Sequence, residues 1–210
     1  LNTDFVKSKT WGIVGAGVRG TSKRDIFASQ DYLQTIVERN GDSANAIVMG
    51  GLVDYLPADL EKVQETLQNP QIKIVSMTVT EGGYYLNDGK FDVTLPDMQH
   101  DVQNPDSPKT VFGLIVKAMR HRKENNVPLL TVMSCDNVHH NGDVVASVVV
   151  GLARAQDAEL ADYIEANACF PNAMVDRIAP ASTEEHKQFI QETYGYEDAS
   201  PVFCEPFRQW

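Results

Sequence analysis

Cysteine is scarce. Cys135, Cys169 and Cys204 are three in 210 residues, an odd number, and no two of them stand as C-x-x-C. That excludes a disulfide framework and a zinc knuckle, leaves no metal site expected on cysteine, and fits a reducing, cytoplasmic setting. No apolar run approaches the roughly 20 residues of a membrane span. No basic segment followed by an apolar one opens the chain, as a secretory leader would. Positive charge is also in deficit, with 18 Lys and Arg against 29 Asp and Glu and a formal net charge of −11. Proteins that grip nucleic acid carry a basic face, so neither nucleic acid nor membrane is expected as a partner. An anionic ligand needs a local cluster of cations acting against the overall field.

What is present is enough apolar residue, 42% of the chain, for one sizeable core. The first conspicuous stretch is Trp11–Gly20, WGIVGAGVRG, whose Gly15-Ala16-Gly17-Val18-Arg19-Gly20 satisfies G-x-G-x-x-G. In a dinucleotide-binding fold such glycines let the backbone turn tightly against a pyrophosphate at a helix N-terminus. The helix after such a loop needs an apolar stripe to pack on its sheet, yet Thr21 to Asp25 are all polar. A nucleotide ligand is retained as the expectation, with the loop's role open.

The rest of the chain alternates strand and helix. Trp11–Val14 reads as a strand and 21–30 as a turn or short irregular helix. Tyr32–Val37 and Ala46–Val53 read as strands paired across the Asn40-Gly41-Asp42 turn. Pro57 with Leu60, Val63 and Leu67 marks a helix. Ile72–Val79 is a strand of the type buried in parallel sheets. Residues 81–108 read as a long polar loop. Ser107-Pro108 starts a helix, whose Arg120–Lys123 end suits the helix dipole. Pro128–Met133 is a second buried strand, Gly142–Ala155 a helix that Ala158–Asn167 continues, and Cys169–Ile178 is extended. Ser182 to Glu185 reads as a capping box, and a strand begins at Pro201. This order argues for an α/β sheet with helices on its faces, in which ligands bind beyond the carboxyl ends of the strands.

Two segments lie at those ends. Thr78-Val79-Thr80-Glu81-Gly82-Gly83-Tyr84-Tyr85 offers hydroxyls, a carboxylate and glycines that bind a ribose or substrate hydroxyl, or that simply cap a turn. Ser134-Cys135-Asp136-Asn137-Val138-His139-His140-Asn141-Gly142 is the densest polar cluster in the chain. Adjacent histidines do not easily point at one ion, and no second cluster completes a ligand set, so no metal is expected. Cys135 with His139 makes a poor nucleophile–base pair. Asn137, as an amide stabilising a substrate oxygen, is the better use of the cluster.

The blocks SMTVTEGGYY, SPKTVFG, TVMSCDNVHHNG, FPNAMVDRIAP and CEPFRQW, in this order, resemble the long-chain mannitol dehydrogenase family from about Trp11 to Trp210. The resemblance implies an α/β, Rossmann-like, open and mostly parallel sheet with helices on both faces. It implies a metal-independent oxidoreductase that interconverts a polyol and a ketose, of the D-mannitol/D-fructose type, with NAD or NADP. Its relatives include reductases of sugar acids such as fructuronate. By the same resemblance Thr80 and Glu81 fall near the nicotinamide end of the cofactor, Asn137 is the catalytic oxyanion-stabilising amide, and Val175 and Asp176 border cofactor and substrate.

Family members also carry a G-x-G-x-F-x-R-A-H turn and a lysine base in K-x-x-x-x-N-x-x-H, and neither pattern occurs in these 210 residues. Residues 1–210 are therefore expected to form an incomplete dinucleotide-binding domain, lacking its first strand-turn unit and the C-terminal helical domain. Little turnover is expected alone, since a tuned base must take the alcohol's proton. A catalytically inactive cofactor-binding or interaction domain is the rival expectation. Exposed apolar surface is expected to drive self-association. IVGAGVRG aligns with the family's second strand, which meets the adenosine ribose through Gly15, Gly17, Arg19, Ser22 and Lys23. Basic residues where NAD-using members place acidic ones favour a 2′-phosphate, hence NADP over NAD.

Overall fold

The computed structural model describes residues 10–18, 23–41, 43–174, 177 and 179–207. The described residues divide into two compact units, one of those up to 59 together with those from 177 on, and one of those from 60 to 174. Among the described residues no helix is long and apolar enough to cross a membrane.

The first unit opens with β1 (Ile13–Gly15), a short helix α1 (Arg24–Ala28), β2 (Gln34–Asn40), β3 (Ser43–Met49) and β4 (Leu52–Tyr55). β2 and β3 form the expected antiparallel pair, in register from Gln34↔Met49 to Asn40↔Ser43, with Gly41 at φ +58° in the turn. The expected second strand divides, because after Gly50-Gly51 the chain leaves β3 and β4 pairs parallel with β1.

The second unit holds α2 (Leu60–Gln68), β5 (Ile74–Met77), a 3-10 turn (Glu81–Tyr84), the hairpin β6 (Leu86–Asn87) and β7 (Lys90–Phe91), α3 (Pro96–Gln103), α4 (Val111–Glu124), β8 (Thr131–Ser134), α5 (Asn141–Gln156) and α6 (Ala158–Asn167). β5 and β8 run parallel in register, Ile74↔Thr131 to Met77↔Ser134. The core is apolar and dense: Phe112, Ile115 and Met119 of α4, Val132 of β8, Val145, Val149 and Leu152 of α5 and Ile164 of α6 are fully or almost fully buried.

Several elements depart from the pattern read in the sequence. β5 is shorter than expected and alternates, with Ile74 43% exposed and Met77 buried, so it is not sheathed on both faces. Residues 81–108 are structured: Asp88-Gly89, both at positive φ, turn the hairpin as an Asp-Gly pair does, and Pro96 sits in the first turn of α3. α4 is capped by Thr110, whose Oγ1 accepts from Gly113 N at 3.0 Å, not by Ser107. The cause is Asp101, fully buried, which accepts from Lys109 N, Thr110 N and Thr110 Oγ1 and keeps the approach to the helix extended. Arg122, in the run expected to suit the helix dipole, is buried instead. Its buried guanidinium donates to the carbonyls of Leu67, Asn69, Ile72 and Pro128, where burial lowers its pKa. α6 is a separate helix because Asp157 is extended and caps it, accepting from Glu159 N and Leu160 N.

The chain then returns to the first unit with α7 (Glu184–Tyr194) and β9 (Val202–Cys204). β9 pairs parallel with β2. The capping box is present one residue later than expected, between Thr183 and His186, because the Ser182 hydroxyl donates to Pro201 O instead. Val37, Ile190 and Phe203 form this unit's buried cluster, with the Arg39 guanidinium 4.7 and 4.5 Å from the ring centres of Phe189 and Phe203.

Candidate functional site

β5 and β8 end side by side, since they are parallel and in register, and Cys135 N donates to Met77 O at 2.8 Å just beyond the last pair. The next residue, Asp136, gathers the opposite strand end. Its carboxylate accepts from Val79 N at 2.8 Å, Thr80 N at 3.2 Å and the Tyr84 hydroxyl at 2.6 Å. Tyr84 is fully buried and its oxygen lies 2.6 Å from Ser134 Oγ, which in turn accepts from Asp136 N at 3.2 Å. The donors then run one way: Ser134 to Tyr84, Tyr84 to Asp136, Asp136 N–H back to Ser134. Burial first, then the bond to Asp136, pushes the Tyr84 pKa well up, so the phenol remains a neutral donor. The Cys135 thiol is likewise raised, by burial and then by the charge of Asp136, which keeps it protonated and argues against a nucleophile.

This network holds an unusual backbone. Thr80 sits at φ +60°, ψ 164°, a region essentially reserved for glycine, at a cost of about 1–3 kcal/mol. Tyr85 and His140 are also left-handed. Strain of this kind persists only where surrounding contacts over-determine it, and here all three positions flank the ends of β5 and β8.

A second clamp fixes the start of α5. Asn141 is buried; its Nδ2 donates to Asp136 O at 3.1 Å and Ala173 O at 2.8 Å, and its Oδ1 accepts from Ala173 N at 2.9 Å. Asn172 Oδ1 accepts from Gly142 N at 2.8 Å. A Cβ at Gly142 would stand 2.6 Å from Phe170 O and Pro171 O, so glycine is required for the 170–173 segment to lie against the helix start. The FPNA segment is thereby tied to the CDNVHHNG segment through the Asn141 and Asn172 side chains, with the backbones in close approach at Gly142.

Asn137 stands in contrast to Asn141. It is exposed, and its amide makes no hydrogen bond among the described residues. Thr80 is exposed as well, and Gly82 has nothing within 4 Å of where a Cβ would stand. A fixed strand end with an open turn, an exposed hydroxyl and an uncommitted amide fits the polar parts of a nicotinamide nucleotide and an alcohol or carbonyl oxygen beside it. Among the described residues no three His, Cys, Asp or Glu side chains are grouped to hold a metal. His139 and His140 meet edge to face, 4.2 Å between ring centres, and His140 Nδ1 lies 3.3 Å from Asp143.

The structure therefore brings Thr80, Glu81 and Asn137 to one place. Gly15 and Gly17 belong to the other unit. Gly15 ends β1, and a Cβ there would overlap the Tyr55 ring, which stacks on Phe27 at 5.4 Å. That glycine is explained by packing. Lys23 is exposed and precedes α1 without a side-chain cap. Arg19, Ser22, Val175 and Asp176 lie outside the described residues. Four structuring residues had no role in the sequence reading: Tyr84, Asp136, Asn141 and Asn172. Their one sequence signal is that each falls inside a block carrying the family resemblance.

The chain resembles known proteins along almost its whole length. The family model described as the mannitol dehydrogenase Rossmann domain matches residues 3–210. A mannitol 2-dehydrogenase of Cereibacter sphaeroides is 47% identical over 205 residues, covering 95% of this chain and 43% of the relative. A polyol:NADP oxidoreductase of Gluconobacter oxydans is 44% identical over 209 residues, with 95% and 43% covered. Among solved structures, the Pseudomonas fluorescens mannitol 2-dehydrogenase in ternary complex with NAD and D-mannitol superposes with a TM-score of 0.87 at 43% identity. That match covers 94% of this chain and 42% of the other. The chain thus spans less than half the length of the proteins it matches.

Proposed function

The chain belongs to the mannitol dehydrogenase family, as its Rossmann domain, and from that premise we propose that residues 1–210 serve the cofactor side of an NAD(P)-dependent polyol dehydrogenase that interconverts a polyol of the D-mannitol type and its ketose. The nicotinamide, when bound, accepts or delivers the hydride. Everything else is the work of side chains. Thr80 and Glu81 face the nicotinamide end from the turn after β5. Asn137, beside them after β8, donates its amide N–H to the reacting oxygen, where charge develops as carbonyl becomes alkoxide. Val175 and Asp176 border cofactor and substrate. Gly17, Arg19, Ser22 and Lys23 take the adenosine end, and the cations among them favour the 2′-phosphate of NADP. Gly15 shapes that turn through its packing on Tyr55. The proton of the alcohol goes to a base outside these 210 residues, since no K-x-x-x-x-N-x-x-H pattern occurs in them.

The observation that carries this reading is the exposed Asn137 amide, without a hydrogen bond among the described residues, beside a strand end held by Asp136. The test is a fluorescence titration of the purified 210-residue chain with NADPH and NADH, followed by an assay with D-fructose. Saturable binding of both, tighter for NADPH, with negligible consumption of reduced cofactor, is the expected result. Absence of binding overturns the reading; robust turnover overturns the placement of the base; tighter NADH binding reverses the NADP preference.

A further inference from the structure

We infer that Asp136 is a positioning residue for the nicotinamide end of the cofactor, acting with Tyr84 as a strap that sets the Thr80 backbone; this rests on the proposed function above. The strap is read from geometry. One carboxylate accepts two consecutive main-chain N–H groups, Val79 at 2.8 Å and Thr80 at 3.2 Å, and a buried phenol at 2.6 Å. The two amides lie 57 and 56 residues away in sequence and the phenol 52, so these contacts are tertiary and define how the two strand-end segments meet. Thr80 sits at φ +60°, a conformation a threonine does not hold by itself. The N–H groups of Val79 and Thr80, which would otherwise point to solvent or to a ligand, are turned inward to the carboxylate. The Thr80 side chain and the following Glu81-Gly82 backbone are left as the ligand-facing surface.

A carboxylate is required for this, not merely a hydrogen-bonding side chain. Two main-chain N–H groups, which can only donate, and a phenol that donates here converge on the residue 136 side chain. An asparagine there places an NH2 against at least one N–H or O–H, which is repulsive, and its remaining oxygen cannot satisfy all three donors. Tyr84 fixes which oxygen is available to which amide: its O–H claims Oδ2, already bound to Val79 N, and Ser134 orients the phenol from behind. Removing the phenolic oxygen leaves the amides paired but loosens the carboxylate about its own side-chain bond. A smaller effect in the same direction follows.

The inference separates the two ends of the cofactor. Asp136 and Tyr84 act on the turn after β5, whereas the adenosine end is assigned to the loop after β1. The experiment therefore compares Asp136→Asn, Tyr84→Phe and wild type, each as the full 210-residue chain. Affinity for NADPH is read by nicotinamide fluorescence, and affinity for 2′-phospho-ADP-ribose, which lacks the nicotinamide, by competition or calorimetry. We expect Asp136→Asn to weaken NADPH by about tenfold, the loss of one charge-assisted hydrogen bond's worth of ordering, with Tyr84→Phe weaker by a few-fold. The affinity for 2′-phospho-ADP-ribose should be unchanged in both. Amide exchange at Val79 and Thr80 should accelerate in the same order. Equal NADPH affinity in all three proteins overturns the inference while leaving the proposed function intact, and so does a parallel loss of both ligands, which marks general destabilisation. Wild type that binds neither ligand overturns the proposed function itself, and with it this role for Asp136.

Discussion

The carboxyl end of β1 and the carboxyl ends of β5 and β8 are both places where a parallel strand stops and a ligand is expected, and they are built in opposite ways. At β1 the sequence is conspicuous, G-A-G followed by cations, but the structural reason for Gly15 is apolar: its missing side chain makes room for Tyr55. At β5 and β8 there is no motif of that prominence, yet seven hydrogen bonds formed through Asp136 and Asn141 fix three segments against one another. A motif marks where a backbone is allowed to bend; a network of side-chain acceptors marks where it is obliged to. The largest effect that tests this contrast is expected at Asn141. Asn141→Ala removes three hydrogen bonds, those to the N–H and carbonyl of Ala173 and to the carbonyl of Asp136. A loss of about 3 kcal/mol follows at roughly 1 kcal/mol per bond. Urea unfolding at an unchanged slope measures it. A loss below about 1 kcal/mol would mean the clamp is dispensable and the contrast false.

The corresponding change at β1 is smaller and different in kind. Gly15→Ala drives a methyl group into the Tyr55 ring, and the ring yields only by disturbing its stack on Phe27. Overpacking of this sort costs about 1–3 kcal/mol. Because the mechanism is steric, it is relieved by removing the ring: the double variant Gly15→Ala with Tyr55→Ala should lose markedly less than the sum of the single changes. A double-mutant cycle measures that coupling. Strict additivity would show that Gly15 is required for some reason other than Tyr55, and would return the loop to the role its letters imply.

What was legible in the sequence follows the range of the interactions involved. The β2–β3 pair was plain from Asn40-Gly41-Asp42 between β-branched runs, and the helices over 111–124 and 141–156 from apolar residues at helical spacing, because those signals are local. The start of α4 was misplaced by three residues since the deciding group, Asp101, approaches from another helix. The cap of α7 was shifted by one since Ser182 is drawn to Pro201, 19 residues on. Arg122 reads as one of a run of cations suited to the helix dipole, and nothing local distinguishes it from Arg120 or Lys123. Only the fold brings four carbonyls to it. The candidate site divides the same way. Asn137 and Thr80 stand out as candidates because they lie where strands end, a topological rule; Asp136 does not, because its hydrogen-bond partners stand more than fifty residues away.

The sharpest form of the comparison is between two asparagines four residues apart. Asn141 is buried and saturated, whereas Asn137 is exposed and its amide makes no hydrogen bond among the described residues. Asn137→Ala is therefore expected to change stability by no more than about 0.5 kcal/mol, as surface substitutions do, the reverse of Asn141→Ala. On the proposed function its effect falls on the reaction instead. In a chimera that reduces D-fructose, carrying these residues in place of the matching domain of the mannitol 2-dehydrogenase to which they are 47% identical, loss of one oxyanion donor lowers kcat by about 10²–10³-fold. NADPH affinity should be nearly unmoved, because on the proposed function the amide addresses the substrate oxygen, where charge develops only in the transition state. Unfolding and steady-state kinetics on the same preparations decide it. If Asn137→Ala unfolds the domain, or if kcat survives, then the exposed amide is not where the oxygen is held, and the search moves along the same loop to His139 and His140.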